Sequence, residues 1–193
     1  MRRLALSVFT ACGFALLTAC DSGGGYGFST GGNGNGSINQ VVFFAGLNGQ
    51  TNSFFLTPGG TSPLEVSAVG ESGSGPFALV VPDATFTWAA RFVDPASLAD
   101  ASIATYQVGT TGVTKPCPKR PSTTPAIPLY QETPPGIYSA ILPPSQAAKQ
   151  VFVRAPDGMA AADTAAGYCI LLVAKHVGDG TLGTKTIIVS NSP

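Results

Sequence analysis

The sequence predicts an all-β domain, folded as an antiparallel sandwich or barrel. Short apolar or alternating runs recur between breaks rich in Gly and Pro, and no segment carries a long helical stripe. The 193 residues include 24 Gly and 16 Pro, while 44% of them are apolar, which is sufficient for a packed core. The predicted strands are 41–45, 54–57, 64–69, 77–81, 85–93, 103–108, 137–142, 150–154, 168–175 and 186–190.

The clearest strand is 85–93, in which large apolar residues alternate with smaller or polar ones. The residues on its apolar face are Phe86, Trp88, Ala90 and Phe92. A period of two is typical of a strand with one buried face. The alternation therefore predicts that Trp88 packs in the core, in preference to serving as a carbohydrate-stacking surface. The Ala-rich stretches 145–149 and 157–166 are expected to form a turn or two of helix at most.

The N-terminus has the features of a bacterial export signal. Arg2 and Arg3 form a short positive region, and residues 4–17 follow without a charge. Such a segment spans about 21 Å as a helix, which is short of the roughly 30 Å hydrocarbon core of a bilayer. It is therefore typical of a signal peptide rather than of a membrane-spanning helix. One interpretation is a plain secretory signal cut near Ala19, followed by an incidental cysteine.

The end of this segment, Leu17-Thr18-Ala19-Cys20, resembles the bacterial lipobox. The resemblance implies that the Cys20 thiol receives a diacylglycerol and that the peptide bond before Cys20 is cut. Lipid chains hold a protein at a membrane through about 0.8 kcal/mol per buried CH₂. The resemblance thus predicts a lipoprotein signal peptide at 1–19 and a bacterial cell-envelope protein anchored by lipid, without indicating the leaflet.

A glycine-rich tract separates Cys20 from the predicted strands. Residues 23–36 hold eight glycines in fourteen positions, and such a run is a flexible coil because Gly loses the most backbone entropy on ordering. We therefore expect a tether over 20–37 and a β-sandwich domain over 38–193, with a Pro-rich insert around 115–135. Two smaller domains divided within 115–135 are the alternative, but each would have few strands and a thin core.

The C-terminal third resembles bacterial immunoglobulin-like domains. Residues 167–174 read Gly-Tyr-Cys-Ile-Leu-Leu-Val-Ala, which is similar to the penultimate strand of those domains, and the turn and final strand would be 176–184 and 185–190. Tyr168 lies one residue before Cys169, however, whereas antibody domains place the tyrosine two residues before. The resemblance implies an Ig-like antiparallel sandwich. It also implies an adhesive, spacer or binding module more often than an enzyme.

Two cysteines remain once the N-terminus is processed. Removal of the signal peptide takes away Cys12, and lipidation uses Cys20. Exported proteins meet oxidising conditions, so we expect a disulfide between Cys117 and Cys169, with two separate thiols as the alternative. A zinc site is not expected, because two cysteines and a single histidine make a poor ligand set.

The candidates for catalysis are few. The pattern Gly178-x-Gly180-x-x-Gly183 matches a dinucleotide fingerprint, but a strand follows where a helix is required, so a hairpin loop is predicted and no cofactor. His176 is the single imidazole. A Ser-His-Asp site would also need a positioned serine, so we expect an exposed histidine at a strand end. The acids that a glycosidase could recruit are scattered over Asp83, Asp94, Asp100, Glu132, Asp157, Asp163 and Asp179.

Charge argues against a nucleic-acid partner. The chain has 10 basic and 10 acidic residues, so it lacks the excess of cations that neutralises phosphates. Lys115, Lys119 and Arg120 could contact an anionic polymer or lipid head group, although a solvated loop is the preferred interpretation. The sequence predicts a non-catalytic structural or binding module, attached to a membrane by lipid and meeting an envelope protein or polysaccharide. The alternatives are an envelope hydrolase that uses scattered carboxylates or His176, and an assembly or secretion accessory.

Overall fold

A computed structural model of the chain describes residues 37–45, 54–60, 62–73, 78–108, 113–133 and 135–191. The predictions of a signal peptide, of lipidation at Cys20 and of a glycine-rich tether fall on residues before 37 and lie outside these ranges. Within the ranges, no helix has the length and apolar character needed to cross a bilayer.

Almost all of the regular structure in the described part is β-strand. The strands are β1 Gln40–Ala45, β2 Phe55–Leu56, β3 Leu64–Ser72, β4 Leu79–Val81, β5 Phe86–Phe92, β6 Thr105–Val108, β7 Val113–Pro116, β8 Leu129–Gln131, β9 Ala140–Ile141, β10 Gln150–Val153, β11 Tyr168–His176 and β12 Leu182–Val189. A single short helix, α1, covers Ala161–Ala166. Each predicted strand has a counterpart, and the helical turn expected within 157–166 is present.

The strands form two sheets and a separate hairpin. The first sheet has the order β1-β3-β10-β8-β9, with β4 paired to the end of β3, and the second has the order β2-β12-β11-β5. Strands β6 and β7 pair only with each other. All pairs are antiparallel except β2 with β12, so the predicted all-β sandwich is confirmed with one parallel pair at an edge.

The main core lies between the inner faces of the two sheets. Strand β5 contributes Phe86, Trp88 and Phe92, as its alternation predicts. The Trp88 indole packs edge-on against Phe43, and its Nε1–H donates to the carbonyl of Ala148 at 2.9 Å. Trp88 is therefore a core residue with a satisfied donor. The core draws side chains from strands on both sides of the Pro-rich stretch 115–135.

A second apolar cluster covers the opposite face of β11. Cys169 and Leu171 contact Val93, Ala104 and Cys117 there. The segment between β5 and β7 lies over this face, and the predicted disulfide joins Cys117 to Cys169 with a Cα–Cα distance of 5.8 Å. Strand β11 is consequently buried on both faces, which explains its almost unbroken apolar sequence.

The last hairpin differs in length from its prediction. Strand β12 begins at Leu182 and pairs with β11 along its whole length, so the turn occupies 177–181 instead of 176–184. The glycine pattern at 178–183 is therefore a hairpin turn continuing into a strand, as expected. Two strands were not predicted. Strand β7 overlaps the start of the Pro-rich stretch 115–135 and β8 lies within that stretch. They are four and three residues long, too short to show a period.

Strand β1 crosses β12 at Gly183 with no space for a side chain. A Cβ added to Gly183 would lie 2.5 Å from the Val41 Cβ and 2.8 Å from a ring carbon of Phe43. Atoms at that distance must move apart, so only glycine permits the two sheets to approach at this corner.

The substitution Gly183→Ala should therefore lower the free energy of unfolding by about 1–3 kcal/mol, because β1 must shift to accept the methyl group. Urea denaturation of the purified protein measures this. Thr184→Ala is the matched control, since Thr184 is exposed on the other face of β12. Equal stability of the two variants would contradict the close crossing.

The disulfide closes a loop across a sequence separation of 52 residues. In the chain-entropy model, a loop of this length contributes about 4 kcal/mol of stability. The double variant Cys117→Ala/Cys169→Ala should lose a similar amount in chemical denaturation. Reductant should destabilise the wild-type protein and leave the double variant unchanged. If reductant leaves the unfolding transition of the wild-type protein unchanged, the disulfide does not stabilise the fold.

Candidate functional site

Two adjoining hollows lie between the turn that follows β5 and the Pro-rich segment that follows Cys117. One has a volume of about 480 Å³ and runs from Ala90 on β5 to Ile127. The other, of about 750 Å³, reaches Gly167 just before β11. Asp94 and Arg120 line both. Their walls combine proline and alanine side chains with charged groups.

A hydrogen-bonded ion pair fixes one wall of the smaller hollow. The Asp100 carboxylate accepts from Arg91 Nη1 at 2.8 Å and from Arg91 Nη2 at 2.5 Å. It also accepts from the backbone N–H of Asp94 at 2.8 Å. The Asp100 side chain is 4% exposed, whereas Arg91 is half exposed. The bonds from Arg91 and Asp94 outweigh burial and lower the pKa of Asp100 to about 2.

The basic residues predicted for the Pro-rich segment divide into two groups. Arg120 and Lys119 line the larger hollow, while Lys115 lies on β7 in the separate hairpin. Arg120 Nη1 is 3.6 Å from Asp94 Oδ2, which is an ion pair longer than a hydrogen bond. The structure thus places two of the three predicted cations at one site, beside an acid that the sequence did not connect with them.

A carboxylate on α1 holds the Pro-rich segment against this end of the sandwich. Asp163 Oδ2 accepts from the backbone N–H of Ser122 at 2.9 Å and from the Ser122 hydroxyl at 2.7 Å. A further N–H, that of Thr123, donates to the same oxygen at 3.3 Å. The Ser122 and Thr123 donors lower the pKa of Asp163. This acid is therefore used to position the loop.

The prediction of an exposed His176 is wrong. Its side chain is buried at the end of β11, next to the Phe86 ring, because β5 pairs with β11 as far as this residue. Its Nδ1 lies 2.8 Å from Asp179 Oδ1. The buried Nε2 has no hydrogen-bond partner in the described part of the chain, so none of the described hydroxyls occupies the position of a nucleophile beside this histidine–aspartate pair.

Asp179 also fixes the point at which the chain enters the sandwich. Its Oδ2 accepts from the backbone N–H of Ile38 at 2.6 Å, and its Oδ1 accepts from Thr181 N at 2.9 Å. The Thr181 hydroxyl donates to the Ile38 carbonyl at 3.0 Å. Burial alone would raise the pKa of Asp179, but the hydrogen bonds from Thr181, His176 and Ile38 outweigh it and lower the pKa.

The other predicted groups are dispersed. Asp83 pairs with Lys149 at 3.7 Å on the surface, and Glu132 accepts from the N–H of Gly136 within its own turn. Among the residues with described positions, no cluster of three His, Cys, Asp or Glu side chains could hold a metal ion. Of the acids suggested for a hydrolase, Asp94 and Asp100 line the smaller hollow, and Asp94 and Asp163 line the larger one.

The hydrogen bonds around Asp100 were not predicted, although the sequence holds part of the information needed. Asp94 and Asp100 are the first and last residues of a seven-residue segment that turns after β5, and Arg91 projects from the outer face of β5. The alternation of β5 gives the side from which Arg91 projects. The conformation of the turn decides which acid it meets, and no periodicity encodes that conformation.

The ionised Asp100 should stabilise the protein in a pH-dependent way. Its folded pKa of about 2 lies below the unfolded value near 3.9, so the contribution is complete above about pH 4 and is lost as the pH falls toward 2. Asp100→Asn should cost about 1–3 kcal/mol at neutral pH. The difference from wild type should shrink in acid, as followed by urea denaturation across pH.

The matched control is Asp83→Asn, because the Asp83 side chain is 67% exposed in its pair with Lys149 and exposed pairs contribute little. This variant should keep the wild-type stability at every pH. A constant deficit of Asp100→Asn down to pH 2 would contradict the assigned role of its charge.

Comparison of the chain with protein-family models, curated proteins and solved structures finds no match. The immunoglobulin-like relationship implied by residues 167–174 and the lipid anchor implied by Cys20 therefore stay predictions.

Proposed function

We propose that this protein is a lipid-anchored component of the bacterial cell envelope, with a β-sandwich that serves as a non-catalytic structural or binding module. The proposal rests on the disulfide between Cys117 and Cys169, in a chain whose N-terminus resembles a lipoprotein signal. Disulfides persist in exported proteins and are rare in reducing compartments. The disulfide and the lipobox are separate features of the chain, and both favour export to the cell envelope.

The entry of the chain into the sandwich is consistent with a tether. The glycine-rich tract at 23–36 leads directly to Ile38, which is buried and bonded through its N–H to Asp179. A tether pulls on the residue at which it joins the folded body, so a hydrogen-bonded and buried junction resists fraying. This favours attachment through the N-terminus.

The hollows favour binding over a purely structural role. The Pro-rich segment that walls them is held by the disulfide at Cys117 and by the Ser122 and Thr123 bonds to Asp163. A rigid site loses little conformational entropy when a ligand binds. The proposed partners are the membrane, through the lipid, and an envelope protein or polysaccharide. No cofactor is required.

The lipid anchor is tested by the intact mass of the mature protein, purified from the membranes of an expressing bacterium. The mass should begin at Cys20 and include acyl groups, because the lipobox directs modification and cleavage there. Two thiols should become accessible to alkylation only after reduction. Cys20→Ser should leave the unmodified precursor.

Cys12→Ser is the matched control, since Cys12 lies in the same segment with too short an apolar region before it. It should be processed like the wild type. A mature protein without acyl groups, or one cut at another bond, would refute the proposed anchor.

A further inference from the structure

We propose that a further hollow, at the open edge of β12, binds a small hydroxylated carboxylate of the size of a uronic acid through Lys185. This hollow has a volume of about 240 Å³ and lies between β12, Phe54 and the β6–β7 hairpin. It shares no lining residue with the two hollows described above. The inference goes beyond the proposed function, because it concerns a different part of the molecule and does not require the lipid anchor.

The edge of β12 turns unpaired backbone groups toward this hollow. The N–H of Ile188 donates to the Phe54 carbonyl at 2.9 Å, so Ile188 directs its backbone groups away from β11. Such groups alternate in direction along an antiparallel strand, and those of Thr186 and Thr184 therefore point the same way. Strand β2 pairs with β12 only at Ile188 and Val189, and no other described strand pairs with this edge. Both N–H donors and C=O acceptors thus remain available there.

Hydroxyl side chains form the opposite wall of the hollow. Ser102 precedes β6, Thr105 lies on β6 and Thr114 lies on β7, and all three are exposed. The Thr186 hydroxyl donates to the carbonyl of Ile103 at 2.9 Å, which holds the segment before β6 over β12. A hydroxyl group both donates and accepts hydrogen bonds, so this wall suits a ligand that carries hydroxyls itself.

Lys185 brings the one charge to the lining of this hollow, in which none of the described residues is an acid. Its ammonium lies over the Phe54 ring, 4.5 Å from the centroid, and burial lowers the pKa of Lys185. Among the described residues, none of the ion pairs within 4.0 Å involves Lys185. The ring attracts the cation through its quadrupole but supplies no counter-charge. A half-buried ammonium in this situation favours an anion beside it.

These groups together select the class of ligand. A carboxylate supplies the counter-charge and accepts a charge-assisted hydrogen bond from the ammonium. Hydroxyls on the neighbouring carbons match the hydroxyl wall and the free N–H and C=O groups of the strand edge. The hollow is smaller than the roughly 300–1,000 Å³ of most ligand pockets, so a single sugar acid fits better than a longer polymer.

The test titrates the intact protein, purified in detergent, with glucuronate at constant ionic strength. NMR follows the amide signals of Thr184 and Thr186. Two further probes separate the parts of the ligand: glucose has ring hydroxyls without the carboxylate, and acetate has the carboxylate without the hydroxyls. Glucuronate should bind saturably. Each of the other probes should bind at least about tenfold more weakly, equivalent to about 1.4 kcal/mol.

The substitution Lys185→Met removes the charge and keeps an unbranched side chain on Phe54. It should weaken the binding of glucuronate about tenfold, to the level of glucose. Lys175→Met is the matched control, because Lys175 is exposed on β11 and lies outside the hollow. This variant should bind glucuronate like the wild type, and the melting temperature shows that both variants are folded.

The wild-type protein provides a readout that needs no variant. Saturation with glucuronate should raise the pKa of Lys185, since a neighbouring anion favours the charged form of an amine. Saturation with glucose should leave this pKa unchanged. The NMR signals of the Lys185 side chain, followed across pH, measure both effects.

Absence of glucuronate binding would overturn the proposal, as would equal affinities for glucuronate and glucose. Equal weakening by Lys185→Met and Lys175→Met, or an unchanged pKa of Lys185 at saturation, would do the same. Acetate that binds as tightly as glucuronate would contradict the role of the hydroxyl wall. None of these results bears on the lipid anchor, which the intact mass decides, and an unacylated protein that binds glucuronate would keep this site.

Discussion

The structure depends on burying both faces of β11. One face of this strand lies in the main core between the sheets, and the other carries Cys169 and Leu171 into a second cluster. A two-layer sandwich ordinarily leaves the outer face of each sheet to solvent. Here the chain between β5 and β7 must return over the outer face, and the disulfide to Cys117 secures it there. The Pro-rich segment follows this path because the outer face of β11 must be covered. The same path forms one wall of both hollows.

Hydrogen bonds organise the two ends of the same strand. At its start, Asp163 gathers the donors of Ser122 and Thr123 on a single oxygen. At its end, Asp179 is hydrogen-bonded to His176, to Thr181 and to the backbone N–H of Ile38. Both carboxylates have lowered pKa values, since each is stabilised as an anion by several donors. In this chain, 10% of whose residues are charged, these two acids therefore hold loops and strand ends in place.

A structural feature could be predicted from the sequence when it depends on residues that are close together in the chain. The alternation around Trp88 is local, so the strand and its buried face could be predicted. The disulfide could be predicted because the expected processing of the N-terminus leaves two cysteines. The burial of His176 could not be predicted, because it depends on how far β5 extends along β11. The same holds for the pairing of Phe152 with Tyr130 and Glu65, which joins strands that are distant in the chain. Sequence periodicity gives the face of a strand and leaves its neighbours undetermined.

The length of β11 has a consequence for orientation. Its nine residues, Tyr168–His176, separate the Ile38 junction from the larger hollow by about 26 Å at the usual rise per residue. The two features therefore occupy opposite poles of the sandwich. In a molecule held by its N-terminus, the pole with Lys119 and Arg120 points away from the point of attachment, and the sheet faces lie roughly parallel to the direction of pull. In that arrangement the strand would set the distance between the attached pole and the pole that carries Lys119 and Arg120.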